Sequence, residues 1–352
     1  MAHRAETSFN HTVEPRRDPD LLSFVIPMYN ESEVLPVLIE RLERLAASLP
    51  CAVEWVVVND GSKDGTANML TAWAARDRRV KFVDFARNFG HPAALTAGLD
   101  HAIGDAVVIM DADMQDPPEI VVDMLARYRE GYDIAYGQRT KRHGETAFKV
   151  ATAAGFYWIM RAFVHRDLPA NSSDFRLMSR AAVDALGHLR EGQRFLRGMV
   201  TWIGFPQVAV PFERPSRAAG RTKYSTRKMV AFAWDAILSF STLPLRFATY
   251  FGFLTFLIGV MYGLRVFVHA LFYRDLVPGW ATTVVLETLL GGAILMCLGM
   301  IGEYVGRIYE EIKQRPIYIV RRRMNVDLAR IPPRGVVAER SLSARGAGSL
   351  PD

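Results

Sequence analysis

Short apolar runs alternate with amphipathic stretches over the first 110 residues. Residues 21–27, 53–58, 80–85 and 107–110 are rich in Val, Ile, Leu and Phe. Runs this short read as strands buried on both faces. Between them apolar residues recur at helical spacing. Val34, Leu35, Leu38, Leu42 and Leu45 share one face of residues 31–49. Further helices are predicted over 65–76, capped by Asp64 or Ser62, and over 91–103. This alternation predicts an α/β fold with a mostly parallel, doubly wound sheet.

Each run ends in polar residues, which such a sheet gathers on one edge. They are Tyr29-Asn30-Glu31, Asn59-Asp60, Arg87-Asn88 and Asp111-Ala112-Asp113. Open α/β sheets bind ligands past the carboxyl ends of their strands. The stretch VVIMDADMQDPPE holds the densest chemistry, and Pro117 and Pro118 stop its strand. Two carboxylates one residue apart, Asp111 and Asp113, with the amide oxygen of Gln115, suit a hard divalent cation. Such a cation keeps waters and takes phosphate oxygens. The plain alternative is an acidic turn that caps a helix. Asp60 can accept from a nucleotide base or ribose. Glu31 can do the same, or sit in the first turn of its helix, where an acid is favourable anyway. GSKDGT lacks a P-loop ending and no GxGxxG follows the first strand, so nicotinamide and ATP readings weaken.

The second half changes character. Residues 247–272 and 281–301 are long and apolar enough to cross a bilayer, which takes ~20 residues. The segment 214–228 carries six Lys or Arg and no acid. It lacks the aromatic platform of a nucleic-acid site and suits acidic headgroups. Residues 229–243 suit a helix lying in the membrane interface. Positive charge flanks the apolar pair on both outer sides, which places both termini in the cytosol and the turn outside. Arg265 and Glu287 fall at similar depth in such a hairpin, so an ion pair between them is one expectation. The net charge of +6 favours anionic partners. The first twenty residues hold no secretory h-region. Cys51 and Cys297 imply no disulfide framework. The division expected is a disordered 1–20, a catalytic domain 21–213, a basic loop and interfacial helix 214–246, two membrane helices 247–303, and a cytosolic segment 304–352 with a disordered tail from residue 324.

Taken together, VIPMYNE, VVNDGSKDGT, ARNFGHPAAL and MDADMQDPPE resemble the GT-A glycosyltransferases of family 2. The nearest branch is the polyprenyl-phosphate glycosyltransferases, which include dolichol-phosphate-mannose synthase and bactoprenol glucosyltransferase. The likeness continues through YDIAYGQRTKR, NSSDFRLMSR, FLRGMVTWIGF, AGRTKYS, STLPLR and GEYVGRIYEEIKQRP, over about residues 22–320. The nucleotide motif reads Asn59-Asp60 where two acids are usual, and Ser173 stands where glycine is common before Asp174. The QxxRW motif of processive synthases is absent.

The resemblance implies a GT-A, Rossmann-like sheet with a C-terminal two-helix transmembrane hairpin. It implies inverting transfer of one sugar from a nucleotide sugar, UDP-glucose first, to undecaprenyl phosphate or another polyprenyl phosphate. The setting is the bacterial inner membrane, with the catalytic domain cytosolic. By the same resemblance Asp111, Asp113 and Gln115 hold Mg²⁺ or Mn²⁺. Pro27, Tyr29, Glu31, Asp60, Arg87, Gly90, Asp111 and Lys223 line the donor. Arg139 and Arg176 meet the acceptor phosphate, and Asp174 is the catalytic base candidate. A phosphate monoester has its second pKa near ~6, so Asp174 can instead orient the nucleophile. The partners implied are the nucleotide sugar, the lipid and the membrane, with no nucleic acid; a homo-oligomer is left open. Rival readings are a processive polysaccharide synthase and a catalytically silent scaffold.

Overall fold

The structure, a computed structural model, describes residues 13–139, 172–192, 194–212, 243–273 and 279–327. Lys223, residues 140–171, the basic stretch 214–228 and the expected interfacial helix up to residue 242 lie outside these residues. The chain forms two compact units, one holding the sheet and the other the two long helices.

Strands β1 (Leu21–Met28), β2 (Ala52–Asn59), β3 (Val80–Phe85) and β4 (Ala106–Ile109) are the expected apolar runs. Helices α1 (Leu35–Ser48), α2 (Thr66–Arg76) and α3 (His91–His101) connect them. There follow a 3-10 turn (Pro118–Ile120), α4 (Val121–Arg129), β5 (Ile134–Arg139), β6 (Ser172–Ser179), α5 (Arg180–His188), α6 (Leu196–Trp202) and β7 (Gln207–Phe212). Then come α7 (Leu243–Tyr273), α8 (Trp280–Ile312) and β8 (Val320–Met324).

The sheet order is β7-β5-β6-β4-β1-β2-β3-β8. The centre, from β3 through β2 and β1 to β4, is parallel. β6 joins β4 antiparallel and β8 joins β3 antiparallel, so the sheet is mixed at its flanks. Parallel strands covered on both faces must be apolar throughout, and β1 is buried from Leu22 to Met28. Leu35, Leu38, Leu42 and Leu45 seal α1 onto it. Full burial of each such side chain contributes about 1.5–3 kcal/mol. Phe24 and Trp55 meet across β1 and β2 with ring centroids 4.7 Å apart.

The two long helices are apolar over Phe247–His269 in α7 and Leu289–Ile312 in α8. The second stretch lies later than the expected 281–301. At 1.5 Å per residue, 23 residues span about 34 Å, enough for a hydrocarbon core of ~30 Å. Large apolar side chains such as Phe253, Phe267, Leu271, Leu289 and Leu295 are exposed along them. The Cys297 thiol lies 3.6 Å from the Ala248 carbonyl, where the pair packs. Arg265 and Glu287 are both exposed, and among the described residues they form no ion pair with each other, contrary to that sequence expectation. Glu287 precedes the second apolar stretch, so burial gives it no need of a partner.

Two further expectations are corrected. Residues 13–20, assigned to a disordered terminus, are tied down. Arg16 pairs with Asp133 at 3.0 Å and donates to the Gly131 carbonyl at 2.6 Å, and Arg129 pairs with Asp18 at 2.6 Å. Residues 320–324, assigned to a cytosolic tail segment, form β8, and the described chain continues to Asp327. The sheet is therefore not contiguous in sequence. Arginines read as positive charge flanking the apolar pair find buried acceptors on the sheet: Arg321 reaches Asp84 and the Arg323 Nε–H donates to His101 Nε2 at 3.0 Å.

That last bond requires a neutral imidazole, because Nδ1 already donates to the Ala97 carbonyl at 2.7 Å. Burial, with Arg323 beside it, pushes the His101 pKa down to about 4. The folded value lies below the unfolded ~6.5, so this stability is complete above pH ~6.5 and is lost as pH falls towards 4. Wild-type protein should lose thermal stability more steeply than His101→Gln between pH 7 and 4.5. Parallel midpoint curves for the two would refute the assignment.

Candidate active site

Strand order reverses between β1 and β4, which makes a crevice at their carboxyl ends. β4 pairs with β1 only as far as Val25. Met110 adds one more bond, its N–H to the Val25 carbonyl at 3.1 Å. β1 runs on alone on that side, which is why Pro27 is tolerated in a central strand: no β4 acceptor awaits its missing N–H. Beyond it Tyr29 is exposed and Asn30 turns into the left-handed region at φ 56°. Asn30 is pinned from both sides. Its N–H donates to Ser62 Oγ at 2.9 Å and its Oδ1 accepts the Lys63 N–H at 2.8 Å. The Glu31 N–H donates to Thr66 Oγ1 at 2.9 Å, and its carbonyl takes the Val34 and Leu35 N–H groups as α1 begins. Asp64 accepts the Thr66 N–H at 3.0 Å from the turn before α2; the cap position itself is Gly65, so neither Asp64 nor Ser62 caps the helix as expected. Against partial burial, hydrogen bonds from Thr66 and Ser32 draw the Asp64 pKa down to about 2.

The β2 and β3 loops meet beside this. Both carboxylate oxygens of buried Asp60 accept backbone N–H groups, from Phe89 at 2.7 Å and Gly90 at 3.0 Å. Burial pushes the Asp60 carboxyl up, against those two bonds. Asp60 therefore first of all holds the β3–α3 loop. Gly61, at φ 63°, passes so close that a Cβ there would lie 2.5 Å from the Arg87 carbonyl carbon. Arg87 is exposed and lies over the Phe89 ring at 4.0 Å. Gly90 has φ 96° and precedes α3.

At the end of β4, Asp111 Oδ1 lies 2.8 Å from His91 Nε2. Desolvation lowers the His91 pKa, but the bond and charge of Asp111, with the charge of Asp174 behind them, leave it raised. Asp113 Oδ1 accepts the Gln115 N–H at 3.1 Å, across Met114 at φ 61°. The Gln115 side chain is 3% exposed, and its Oε1 is buried without a hydrogen-bond partner among the described residues. Two contacts fasten this loop. Glu119 accepts both Nε and Nη2 of Arg41 at 2.7 Å, tying the loop to α1. Ser173 Oγ donates to Asp116 Oδ2 at 3.1 Å and accepts the Phe175 N–H at 3.1 Å, tying it to β6.

β6 brings Asp174 to the same edge. Arg176 pairs with Ile109 across β6 and β4. Two residues onward along each strand, that register sets Asp174 opposite Asp111. Asp174 is bound by Arg197 through Nε to Oδ1 at 2.8 Å and Nη2 to Oδ2 at 2.9 Å. Arg176 Nη2 adds a contact at 3.6 Å. Burial works to raise the Asp174 pKa, but Arg197, then Arg176 and His91, hold it well below the usual carboxylate range. Arg176 departs from its expected place at an acceptor. It is 4% exposed, and its Nε and Nη2 donate to the Asp174 and Ser173 carbonyls at 3.2 and 3.0 Å. Burial pushes its pKa down to about 10. Arg139 ends β5, with its backbone in the sheet.

The structure thus brings Asp111, Asp113, Gln115 and Asp174 to one edge. It adds His91, Arg197 and Ser173, which the sequence reading left without roles. His91 opens a predicted helix just past a strand end, a position that could have drawn notice; Arg197, inside α6, offered no such signal. Asp116 is 1% exposed, and a hydrogen bond to such a carboxyl contributes about 1–3 kcal/mol. Ser173→Ala should therefore lower stability by about that amount, read by denaturant unfolding. A change under about 0.5 kcal/mol would show that the bond carries no stability.

The profile of glycosyl transferase family 2 matches residues 23–187, and that of the GtrB C-terminal hairpin matches residues 243–308. An uncharacterized glycosyltransferase of Bacillus subtilis, YkcC, is 43% identical over 88% of this chain and 96% of its own. The SfII prophage-derived bactoprenol glucosyl transferase of Shigella flexneri is 38% identical over 86% and 97%. Glucosyl-3-phosphoglycerate synthase from Mycobacterium tuberculosis is similar at 18% identity and TM-score 0.47, over 62% of this chain and 76% of that one. Likeness at that level fixes no detail of the site. From the two profiles and the near full-length relatives, the chain belongs to glycosyl transferase family 2, carries a C-terminal helical hairpin, and is a glycosyltransferase.

Proposed function

We propose that this enzyme transfers one sugar, with inversion, from a nucleotide sugar to a polyprenyl phosphate at the cytosolic face of a bacterial inner membrane. UDP-glucose and undecaprenyl phosphate are the first choices, supported by the bactoprenol glucosyl transferases among the relatives. One observation carries the reading: an oxygen-rich donor set at the end of β4 faces a carboxylate bracketed by arginines at the end of β6. The first suits a diphosphate with its cation, and the second a phosphate acceptor. In this reading α7 and α8 cross the membrane, with both ends of the hairpin on the cytosolic side.

The cation proposed is Mg²⁺ or Mn²⁺, held by Asp113 and Gln115 with Asp111 nearby. The donor chemistry fits. All three offer hard oxygens, and the buried Gln115 Oε1 is an acceptor with no other use among the described residues. Among those residues no three His, Cys, Asp or Glu side chains converge as a metal site, so phosphate oxygens and waters complete the shell. A bound cation would offset charge on the leaving nucleoside diphosphate. Pro27, Tyr29, Glu31, Asp60, Arg87 and Gly90 shape the donor crevice, and Lys223 belongs to the same proposal.

Asp174 is ill suited to be a strong base. Its carboxylate stays ionised to very low pH, and a phosphate acceptor is mostly dianionic at neutral pH without help. We assign it instead to orienting Arg197, which is 33% exposed and carries a guanidinium that the acceptor phosphate can meet. Arg139 supplies further positive charge, while Arg176 supports Asp174 from behind.

Asp113→Ala and excess EDTA should each abolish nucleotide release from UDP-glucose while the protein stays folded; full activity in EDTA would refute the cation. Wild-type protein should show a raised thermal midpoint with UDP-glucose and Mn²⁺, by mass action; stabilisation by GDP-mannose alone would reassign the donor. Arg197→Met and Asp174→Asn should both raise the acceptor KM about tenfold, a loss of about 1.4 kcal/mol. Because the Asp174 pKa is depressed, wild-type activity should show no acidic limb from this residue above pH ~4. A loss in Asp174→Asn confined to kcat, with an acidic limb near pH 6, would restore the base role.

A further inference from the structure

β8 follows both long helices in sequence, yet it closes the sheet against β3. The segment around it is fastened more heavily than an edge strand needs. The Tyr318 hydroxyl donates to Asp100 Oδ2 at 2.8 Å, and the Tyr318 ring stacks on Phe85 at 5.3 Å. Asn325 Nδ2 serves the carbonyls of Ala74 and Val80 at 2.6 and 3.0 Å. One contact leads elsewhere. Arg321 places Nε and Nη2 on Asp84 Oδ2 at 3.1 and 2.9 Å. Asp84 is 1% exposed, so its carboxylate depends on such a partner.

The other oxygen of Asp84 accepts Asn59 Nδ2 at 2.8 Å. That bond decides which way the fully buried Asn59 amide faces, because only its nitrogen can donate to a carboxylate. Asn59 Oδ1 is then turned to the Ser62 N–H at 3.3 Å. Ser62 Oγ in turn accepts the N–H of Asn30, the left-handed residue between β1 and α1. A continuous chain of polar contacts therefore runs from the strand after the hairpin to the two loops that frame the crevice. An acid at position 59 would set two carboxylates against each other here; the amide removes that conflict.

We propose that Arg321 is a positioning residue for donor binding, acting through Asp84 and Asn59 on the loops at Ser62 and Asn30. It makes the post-hairpin strand part of the donor site's support. This rests on the reading of that crevice as the nucleotide site. Removing the guanidinium takes away both hydrogen bonds on Asp84 Oδ2 and leaves only Arg322, whose Nη2 stands 3.9 Å from that oxygen. The Asp84 carboxylate, no longer fixed through Oδ2, can turn away from the Asn59 amide that it orients, and the Ser62 turn loosens.

The test uses the full-length protein in nanodiscs, with two readouts. Hydrogen exchange by mass spectrometry follows the peptides spanning residues 28–34 and 59–65. Titration with UDP and Mn²⁺ follows nucleotide binding. Arg321→Met should speed exchange in both peptides by about fivefold or more and weaken UDP by a similar factor. Arg323→Met is the control, since it breaks a β8 contact to His101 without touching Asp84. It should leave both peptides and UDP affinity within about twofold of wild type. Arg321→Lys keeps the charge but loses the two-pronged grip. It should fall between, and it serves in place of Arg321→Met should that variant not fold. Equal exchange in the Arg321 and Arg323 variants would overturn the proposal and leave β8 a fastening alone. Wild-type protein that fails to bind UDP would refute the donor reading, while the exchange comparison would still decide the role of Arg321.

Discussion

Burial of β1 between two parallel neighbours is the constraint on which the rest depends. A strand hydrogen-bonded on both sides and covered on both faces can place polar chemistry only at its ends. Because β4 leaves it at Val25 while β2 follows it to Met28, a gap opens on one side only. Every loop with chemistry in it borders that gap or the strand end beside it. The apolar interior thus determines where the polar residues go, although none of them contributes to the core.

The polar edge is organised by the same economy of unsatisfied groups. Four of the carboxylates expected to meet a ligand already have a protein partner: Asp60 two backbone amides, Asp111 an imidazole, Asp113 an amide and Asp174 a guanidinium. A substrate entering this crevice meets groups already oriented, so less ordering remains to be done on binding. For Asp174 the balance of terms is clear. Two opposite charges 4 Å apart are worth about 4 kcal/mol at an effective dielectric of 20. Its carboxylate stays 24% exposed, so the remaining desolvation cannot reverse that.

Much of this was legible in the chain. The strand runs and the face of α1 followed from periodicity alone, because double burial demands unbroken apolar runs and single burial a helical stripe. Strand ends located the crevice. Other features depended on contacts distant in sequence. Arg321 to Arg323 read only as positive charge flanking the apolar pair; the buried Asp84 and His101 give two of them a further purpose. Arg197 stayed hidden because a lone arginine in a short helix has no local signature. Ser173 was noticed as a departure from glycine, yet its bond to Asp116 needs β6 and the β4 loop side by side. Arg265 and Glu287 erred in the other direction, since equal depth along two helices does not make two side chains meet.

The position of β8 in the chain also sets an order of events during synthesis. Arg321 and Asp84 are 237 residues apart. A ribosome adds about 5–20 residues per second, so β3 waits roughly 10–50 seconds with its outer edge open. The entropy of closing so long a loop grows only logarithmically with length and is no bar to the finished fold. The waiting edge is the hazard, because open strands recruit other strands. Lys81 and Asp84 put charge on that strand, a mark that unwanted pairing there is discouraged until the last segment of the sheet arrives.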